Sequence, residues 1–304
     1  DKPSTGSFHE DDDARFRHAL TFRGNHCAIG HPESITRIIV KKFNVGIIGY
    51  GWAAGAHIDA INNTGQAQVT AVYSSRLLDG DEVSATHGRR IKTYTNLKAM
   101  LKNSSIDVID VTSYPYQHTD QVVAAAKAGK HVLCEKPLAL DVKECQKMLQ
   151  AVKKAKVVHM VCHNYRRIPA IAQAKKMIKE GVIGEIRHYY ARYAQGWLFD
   201  SKMPGLWRLQ KQHAGSGAHG DINAHIIDLA RYLVGEFDEV CGQMHTFIKK
   251  RPLPDNPKKM GRVTVDDAVQ CIGRFRNGAL ANLEATRYAT GRRNHIHLEI
   301  NSSK

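Results

Sequence analysis

Three short runs hold the residue types that chemistry requires. Gly49-Tyr50-Gly51-Trp52-Ala53-Ala54 is a G-x-G-x-x-A between an apolar run and a helical one. Gly49 permits a tight turn, Gly51 lets the backbone approach a pyrophosphate, and Ala54 is small enough for close helix–strand packing. A helix opening here offers free N–H groups and its positive dipole end to phosphates. The run, with Trp52 and Ala53 inside it, therefore predicts dinucleotide binding; a plain strand–helix turn is the alternative. Glu135-Lys136-Pro137 follows another apolar run, where an ammonium can stand beside a substrate oxygen or simply be a surface lysine. In Asp221-Ile222-Asn223-Ala224-His225 the first and last residues share a helix face. A carboxylate beside an imidazole suits a general base with its orienting partner. An N-capping aspartate and a partly buried histidine would read the same way.

The end of the second strand selects the dinucleotide. An NAD site usually places an acid about 20 residues beyond the glycines to bind the ribose hydroxyls. Here Ser74, Ser75 and Arg76 follow Tyr73, and the nearest acids, Asp79 and Asp81, lie further on. Hydroxyls and a guanidinium can receive a 2′-phosphate. NADP is the expected cofactor, ahead of NAD.

These runs need elements to hold them. FNVGIIG, QVTAVY (68–73), Ile91 to Tyr94, DVIDVTS (107–113), HVLCE (131–135) and VVHMVCH (157–163) read as strands alternating with helices. That alternation predicts a doubly wound parallel sheet with ligands at the strand C-termini. Helices are expected over Ala53–Asn62, in TDQVVAAAKAG (119–129), and after Asp141 and Glu144, which resemble a capping box. After about residue 164 the pattern changes. A helix (170–180), the strand EIRHYYARY, a loop with Trp197 and Trp207, a helix (221–234) and strands near 239–248, 265–275 and 279–288 predict an α+β domain. Its sheet should be largely antiparallel.

Composition narrows the classes. In 304 residues, 42% hydrophobic and 24% charged is ordinary globular content, so wholesale disorder is excluded. No run approaches the roughly 20 apolar residues of a membrane span. The net charge of +15 comes from lysines and arginines spaced as solvated helix faces, without a zinc-finger or RNA-recognition pattern, so no nucleic-acid partner is expected. Six cysteines form no CxxC, which fits a reduced, cytoplasmic setting. The start at Asp1 leaves room for a removed upstream segment. His295 and His297 share a strand face but lack a third ligand in view, so no metal is expected. Trp207 offers a flat surface for a sugar ring or for packing.

GIIGYGWAAGAH, AGKHVLCEKPLAL, NYRRIP and AGSGAHGDINAHIIDLARYLVG, in this order over about residues 43–300, resemble the Gfo/Idh/MocA oxidoreductases. The family includes glucose–fructose oxidoreductase and inositol dehydrogenase. The resemblance implies a Rossmann domain over 43–163 and a C-terminal domain over 164–304, with residues 1–42 as an arm. It also implies an open sheet that often forms the oligomer interface, hence a homo-oligomer (dimer or tetramer), and a cis peptide before Pro137. Lys136, Asp221 and His225 fall on the family's catalytic positions. Ser113, His118, Glu135 and Lys136 join the cofactor set, and Tyr165, Arg166, Trp207 and Asn223 the substrate side. Three departures stand out. Ser113-Tyr114-Pro115-Tyr116-Gln117-His118 replaces a T-P-N-x-x-H, the ribose acid is missing, and relatives continue beyond HLEINSSK, so the second sheet is expected to be incomplete.

The implied activity is hydride transfer between nicotinamide and a sugar, polyol or related substrate. His225 would take the hydroxyl proton, Asp221 would orient its ring, and Lys136 would hold the reacting oxygen. The same residues would serve NAD-dependent glycoside cleavage through transient oxidation, and a non-catalytic dinucleotide-binding protein is the remaining alternative.

Overall fold

The computed structural model describes residues 42–304; the N-terminal arm up to residue 41 lies outside the described residues. Strands β1 (Phe43–Ile48), β2 (Ala67–Tyr73), β3 (Lys92–Tyr94), β4 (Val108–Val111), β5 (His131–Cys134) and β6 (His159–Val161) form a six-stranded sheet in the order β3-β2-β1-β4-β5-β6. Every pairing is parallel. Order reverses between β1 and β4, the crevice where such sheets take ligands. Helices α1 (Trp52–Asn63), α2 (Gly80–Thr86), α3 (Leu97–Leu101), α4 (Pro115–Lys127) and α5 (Val142–Ala155) make the crossovers.

The strands are apolar along their length because both sheet faces are covered. Ile58 of α1 and Val83 of α2 pack with Val45, Ile47 and Val72 in one cluster. Val122 of α4 and Met148 and Val152 of α5 pack with Ile109 and Val111 in another. Local signals set the helix ends. Asp141 Oδ1 accepts from the Glu144 amide, while Glu144 reaches back to the Leu140 amide, both at about 2.9 Å. Helix α4 starts at Pro115, four residues before the expected Thr119, since proline suits the first helical position.

The second half comprises α6 (Pro169–Lys179), β7 (Ile186–Ala194), α7 (Lys211–Ala214), α8 (Ala224–Leu233), β8 (Phe237–His245), β9 (Lys250–Leu253), β10 (Asn256–Arg262), β11 (Ala268–Phe275), β12 (Leu280–Thr286) and β13 (His295–Ser302). Its main sheet runs β13-β7-β12-β11-β8, with β9 and β10 as a separate hairpin. Only β7 and β12 pair in parallel; the other three contacts are antiparallel. Ile222, Ile226, Ala230 and Leu233 pack onto one face against Tyr189, Tyr193, Val269 and Leu283. The opposite face leaves Tyr190, Ile272 and Leu280 exposed beside polar neighbours such as Arg192, Gln270, Arg274 and Asn282.

The helix expected from residue 221 becomes regular only at Ala224, after a π-helical turn over His219–Asn223. Asp266 fixes that entry, its two oxygens accepting from the Gly217 and His219 amides at 2.7 and 2.8 Å. A Cβ at Gly217 would lie 1.7 Å from the Asp266 carbonyl oxygen, so only glycine lets the chain pass. No described helix is long and apolar enough to cross a membrane.

Candidate active site

The glycine turn lies at the C-terminal end of β1. Gly49 adopts φ +100°, and a Cβ there would meet the Ser113 backbone at 3.1 Å. Two backbones therefore close the floor of the crevice, and glycine is required by both conformation and space. Gly51 is the N-cap of α1 without any side-chain cap, and a Cβ on it would meet nothing within 4 Å. The first α1 amides thus face an open cradle with no protein acceptor competing for them, as a pyrophosphate requires. Ala54 is fully buried beneath, and Trp52 is 89% exposed at the rim.

The loop after β2 lies beside this turn. Ser74 is buried, and its hydroxyl accepts from the Arg76 amide. Ser75 and Arg76 are exposed, with Arg76 Nη2 donating to the Tyr50 carbonyl at 3.2 Å. Asp79 is occupied as the cap of α2, accepting from the Asp81 and Glu82 amides. Among the described residues no carboxylate caps the β2 end itself.

Lys136 follows β5 on a cis Lys136–Pro137 peptide. Its Nζ donates to the Asp221 carbonyl at 3.0 Å and to Asp221 Oδ1 at 3.2 Å, joining the parallel sheet to the second half. Arg287, fully buried at the end of β12, places Nη1 3.8 Å from the other Asp221 oxygen. Burial opposes charge on Asp221, but Lys136, Arg287 and Arg208 outweigh it and hold the carboxyl below its ordinary range.

Among the described residues no hydrogen bond joins Asp221 to His225, so Asp221 serves the lysine rather than the imidazole here. His225 instead stacks on Tyr165, ring centroids 4.2 Å apart, with its Nδ1 buried and without a hydrogen-bond partner. Burial, then the charge of Lys136 and the neighbouring His163, lower its pKa to about 3. The ring is neutral at physiological pH. Tyr165 is fixed in turn by a 2.7 Å bond between its hydroxyl and that of Tyr193.

Several residues expected in the pocket have other partners. Arg166 grips Asp228 of α8 through Nε and Nη2 at 2.7 and 2.6 Å, so its guanidinium is occupied. Asn223 is fully buried, its amide nitrogen 3.2 Å from His219 Nδ1. His118 is also fully buried, its ring set between the Ser113 carbonyl and those of Pro137 and Leu138. It braces the lysine loop from behind rather than facing the crevice. Ser113 donates its hydroxyl to Gln121. Glu135 points inward, accepting from the Lys136 amide at 3.0 Å and lying 3.0 Å from His57 Nε2.

Sequence reasoning missed four contributors. Half-buried His57 and fully buried Arg287 are two of them; His57 lies inside the glycine run, whereas nothing local marks Arg287. Tyr114 and Tyr116 are the others. Their rings stack 5.9 Å apart, Tyr114 meets Trp207 edge-on at 4.8 Å, and Tyr116 meets His213 at 5.1 Å. The departure Ser113-Tyr114-Pro115-Tyr116 thus builds an aromatic shelf over the crevice. His297 lies 3.9 Å from Glu299 on β13.

Two family models match the chain. One, described as an oxidoreductase family with an NAD-binding Rossmann fold, covers residues 43–163; the other, the GFO/IDH/MocA C-terminal domain, covers 171–304. A levoglucosan dehydrogenase from Pseudarthrobacter phenanthrenivorans is 40% identical over 285 residues, 87% of this chain and 73% of that protein. A solved levoglucosan dehydrogenase in complex with NADH and L-sorbose superposes with TM-score 0.83 at 40% identity, covering 86% of this chain and 72% of that one. An NAD-binding oxidoreductase from Klebsiella pneumoniae gives TM-score 0.81 at 33% identity, covering 86% and 71%.

Proposed function

The chain belongs to the GFO/IDH/MocA oxidoreductase family, and on that premise we propose that this NAD(P)-dependent sugar oxidoreductase works through Lys136 and His225 on levoglucosan or a similar ring sugar. The observation that carries the reading is the Lys136 ammonium, held by two Asp221 oxygens above the β1–β4 crevice with a neutral imidazole nearby. A bound nicotinamide supplies the hydride acceptor. The open space at Gly51 and the uncapped α1 amides fit its diphosphate.

Two of the three Lys136 N–H bonds go to Asp221, leaving one to donate to the reacting oxygen. That contact strengthens as negative charge develops on the oxygen, so it favours the transition state over the bound substrate. His225 offers the hydroxyl proton an unprotonated ring; the burial and the Lys136 charge that keep it neutral also make it a weak base, so the proton moves together with hydride departure. Asp221 keeps the lysine aimed. Tyr114, Tyr116 and Trp207 offer flat faces to the C–H side of a sugar ring. The relatives' complexes contain NADH, but this chain's Arg76 beside the glycine turn and its lack of a carboxylate at the β2 end support NADP(H).

The open face of the second sheet, where Tyr190, Ile272 and Leu280 are exposed with no described helix over them, supports a homo-oligomer, dimer or tetramer. Five free cysteines among the described residues support a reducing, cytoplasmic setting. The Rossmann domain ends at residue 163 and the second domain begins at 164, between β6 and α6. The test is a fluorescence titration with NADPH and NADH, followed by a sugar panel read by stoichiometric cofactor reduction. Turnover with one nicotinamide reduced per sugar oxidised is expected. Sugar conversion without net reduction would replace the dehydrogenase reading.

A further inference from the structure

A second cluster of titratable groups lies beneath the lysine. His57, on the second turn of α1, has Nδ1 2.8 Å from Asp110 Oδ2 and Nε2 3.0 Å from Glu135 Oε1. Asp110, in β4, is fully buried, while Glu135 stands directly before Lys136. Cys162, just after β6, brings its sulfur to 3.9 Å from the same Nε2. We propose that His57 is a doubly protonated positioning residue, a half-buried imidazolium whose two N–H groups tie the dinucleotide-binding helix to the loop that presents Lys136.

Two ring nitrogens facing two carboxylates decide the protonation. A neutral imidazole has one N–H and would leave a lone pair pointing at a carboxylate oxygen. The imidazole is also the strongest base of the three, so a single shared proton resides on the ring. Burial opposes that charge, but the bonds to Asp110, Cys162 and Glu135 overcome it and raise the pKa to about 12. The second Glu135 oxygen then accepts from the Lys136 amide, completing the path His57–Glu135–Lys136. One charged ring thereby sets the position of α1 and the position of the lysine together.

His57, Glu135 and Cys162 have the chemistry and spacing of a thiophilic metal site. The proton competes with that use. Both nitrogens are already satisfied, and burial holds the Cys162 thiol above its ordinary value, away from the thiolate a metal needs. The cluster reads as a proton-filled clamp.

The inference rests on Lys136 holding the reacting oxygen, and its test separates the two. In the ¹⁵N-histidine-labelled protein, the His57 ring, assigned through backbone correlations, should show both nitrogens protonated at pH 8.5. A neutral ring there overturns the proposal whether or not Lys136 is catalytic. His57→Gln should lower kcat about 10²-fold, the usual effect of misplacing a reacting group by about 1 Å, with cofactor Kd changed less than about 3-fold. His57→Gln/Asp110→Asn removes the stranded carboxylate and should recover Tm but not kcat. Recovery of both would make His57 a mere charge balance, and one zinc per chain in protein purified without chelator would also overturn the clamp. Lys136→Met with retained turnover would instead sink the parent assignment.

Discussion

His57 reaches Lys136 through Glu135, and His225 feels the lysine's charge from the second half; both are largely buried, yet their environments drive them in opposite directions. The first faces two carboxylates and is held charged; the second faces an ammonium and a tyrosine ring and is held neutral. Burial alone would have lowered both. Neighbouring charge decides which histidine carries a proton, and the two histidines are thereby divided into a fixed support and a free acceptor. The support uses up every donor it has. The acceptor keeps a nitrogen without a partner.

Removing the lysine breaks this division most severely. Lys136→Met should lower kcat by about 10²-fold or more, the order expected for a positioned polar group in catalysis, while cofactor Kd stays nearly constant. Because the Lys136 charge helps depress the His225 pKa, the same variant should move that ring's titration upward, which NMR would read. Full activity in Lys136→Met would remove the reason for the asymmetry. Gly51→Val tests the other side, since nothing in the protein obstructs the new side chain. The fold should hold and both dinucleotides should lose affinity by roughly two orders of magnitude, as their diphosphate needs that space. Normal titration curves would move the cofactor elsewhere.

Stability against pH sharpens the contrast with smaller effects. The His225 pKa is about 3 when folded and near 6.5 unfolded, so the unfolded chain binds the extra proton between those values. Stability should therefore fall as pH drops below about 6.5, by at most about 1.4 kcal/mol per pH unit from this group. His225→Gln should flatten that acid limb in denaturant titrations. His57 has the opposite sign: its raised pKa contributes fully below about 6.5 and fades as pH climbs toward 12. A wild type and His225→Gln with parallel acid limbs would contradict the neutral-ring assignment. The smallest expected change is Arg76→Ala, which should weaken NADPH about 10-fold, the low end for a half-exposed charge-assisted contact, and spare NADH. Equal losses for both would leave Arg76 as a loop residue fastened to Tyr50.

The glycine turn and the motif residues were legible in the sequence and their partners less so, for reasons of range. Gly49 and Gly51 announce themselves because a tight turn and an open cradle are local requirements, met within six residues. The parallel sheet followed from alternation of apolar runs with helices. Lys136, Asp221 and His225 were found as motif residues, but the pairing of Asp221 with Lys136 crosses 85 positions, and helix periodicity alone suggested His225 instead. Arg166 and Asn223 looked like pocket residues because polarity in a motif suggests ligand; tertiary partners, Asp228 and His219, claimed them. The parallel β7–β12 pairing was invisible for the same reason, since nothing within either strand names its neighbour.

The Lys136–Asp221 contact also bears on how such a protein can diversify. The first half supplies the cation and the second half its counter-ion, so neither half is self-sufficient at that point. Recombination near residue 164 could exchange the whole second half, with its shelf-facing Trp207 and its base, and so change which sugar is accepted. Only donors carrying an acid where Asp221 stands would keep the lysine aimed. Substrate preference is thus free to drift by module exchange, while one electrostatic handshake acts as the compatibility requirement between modules.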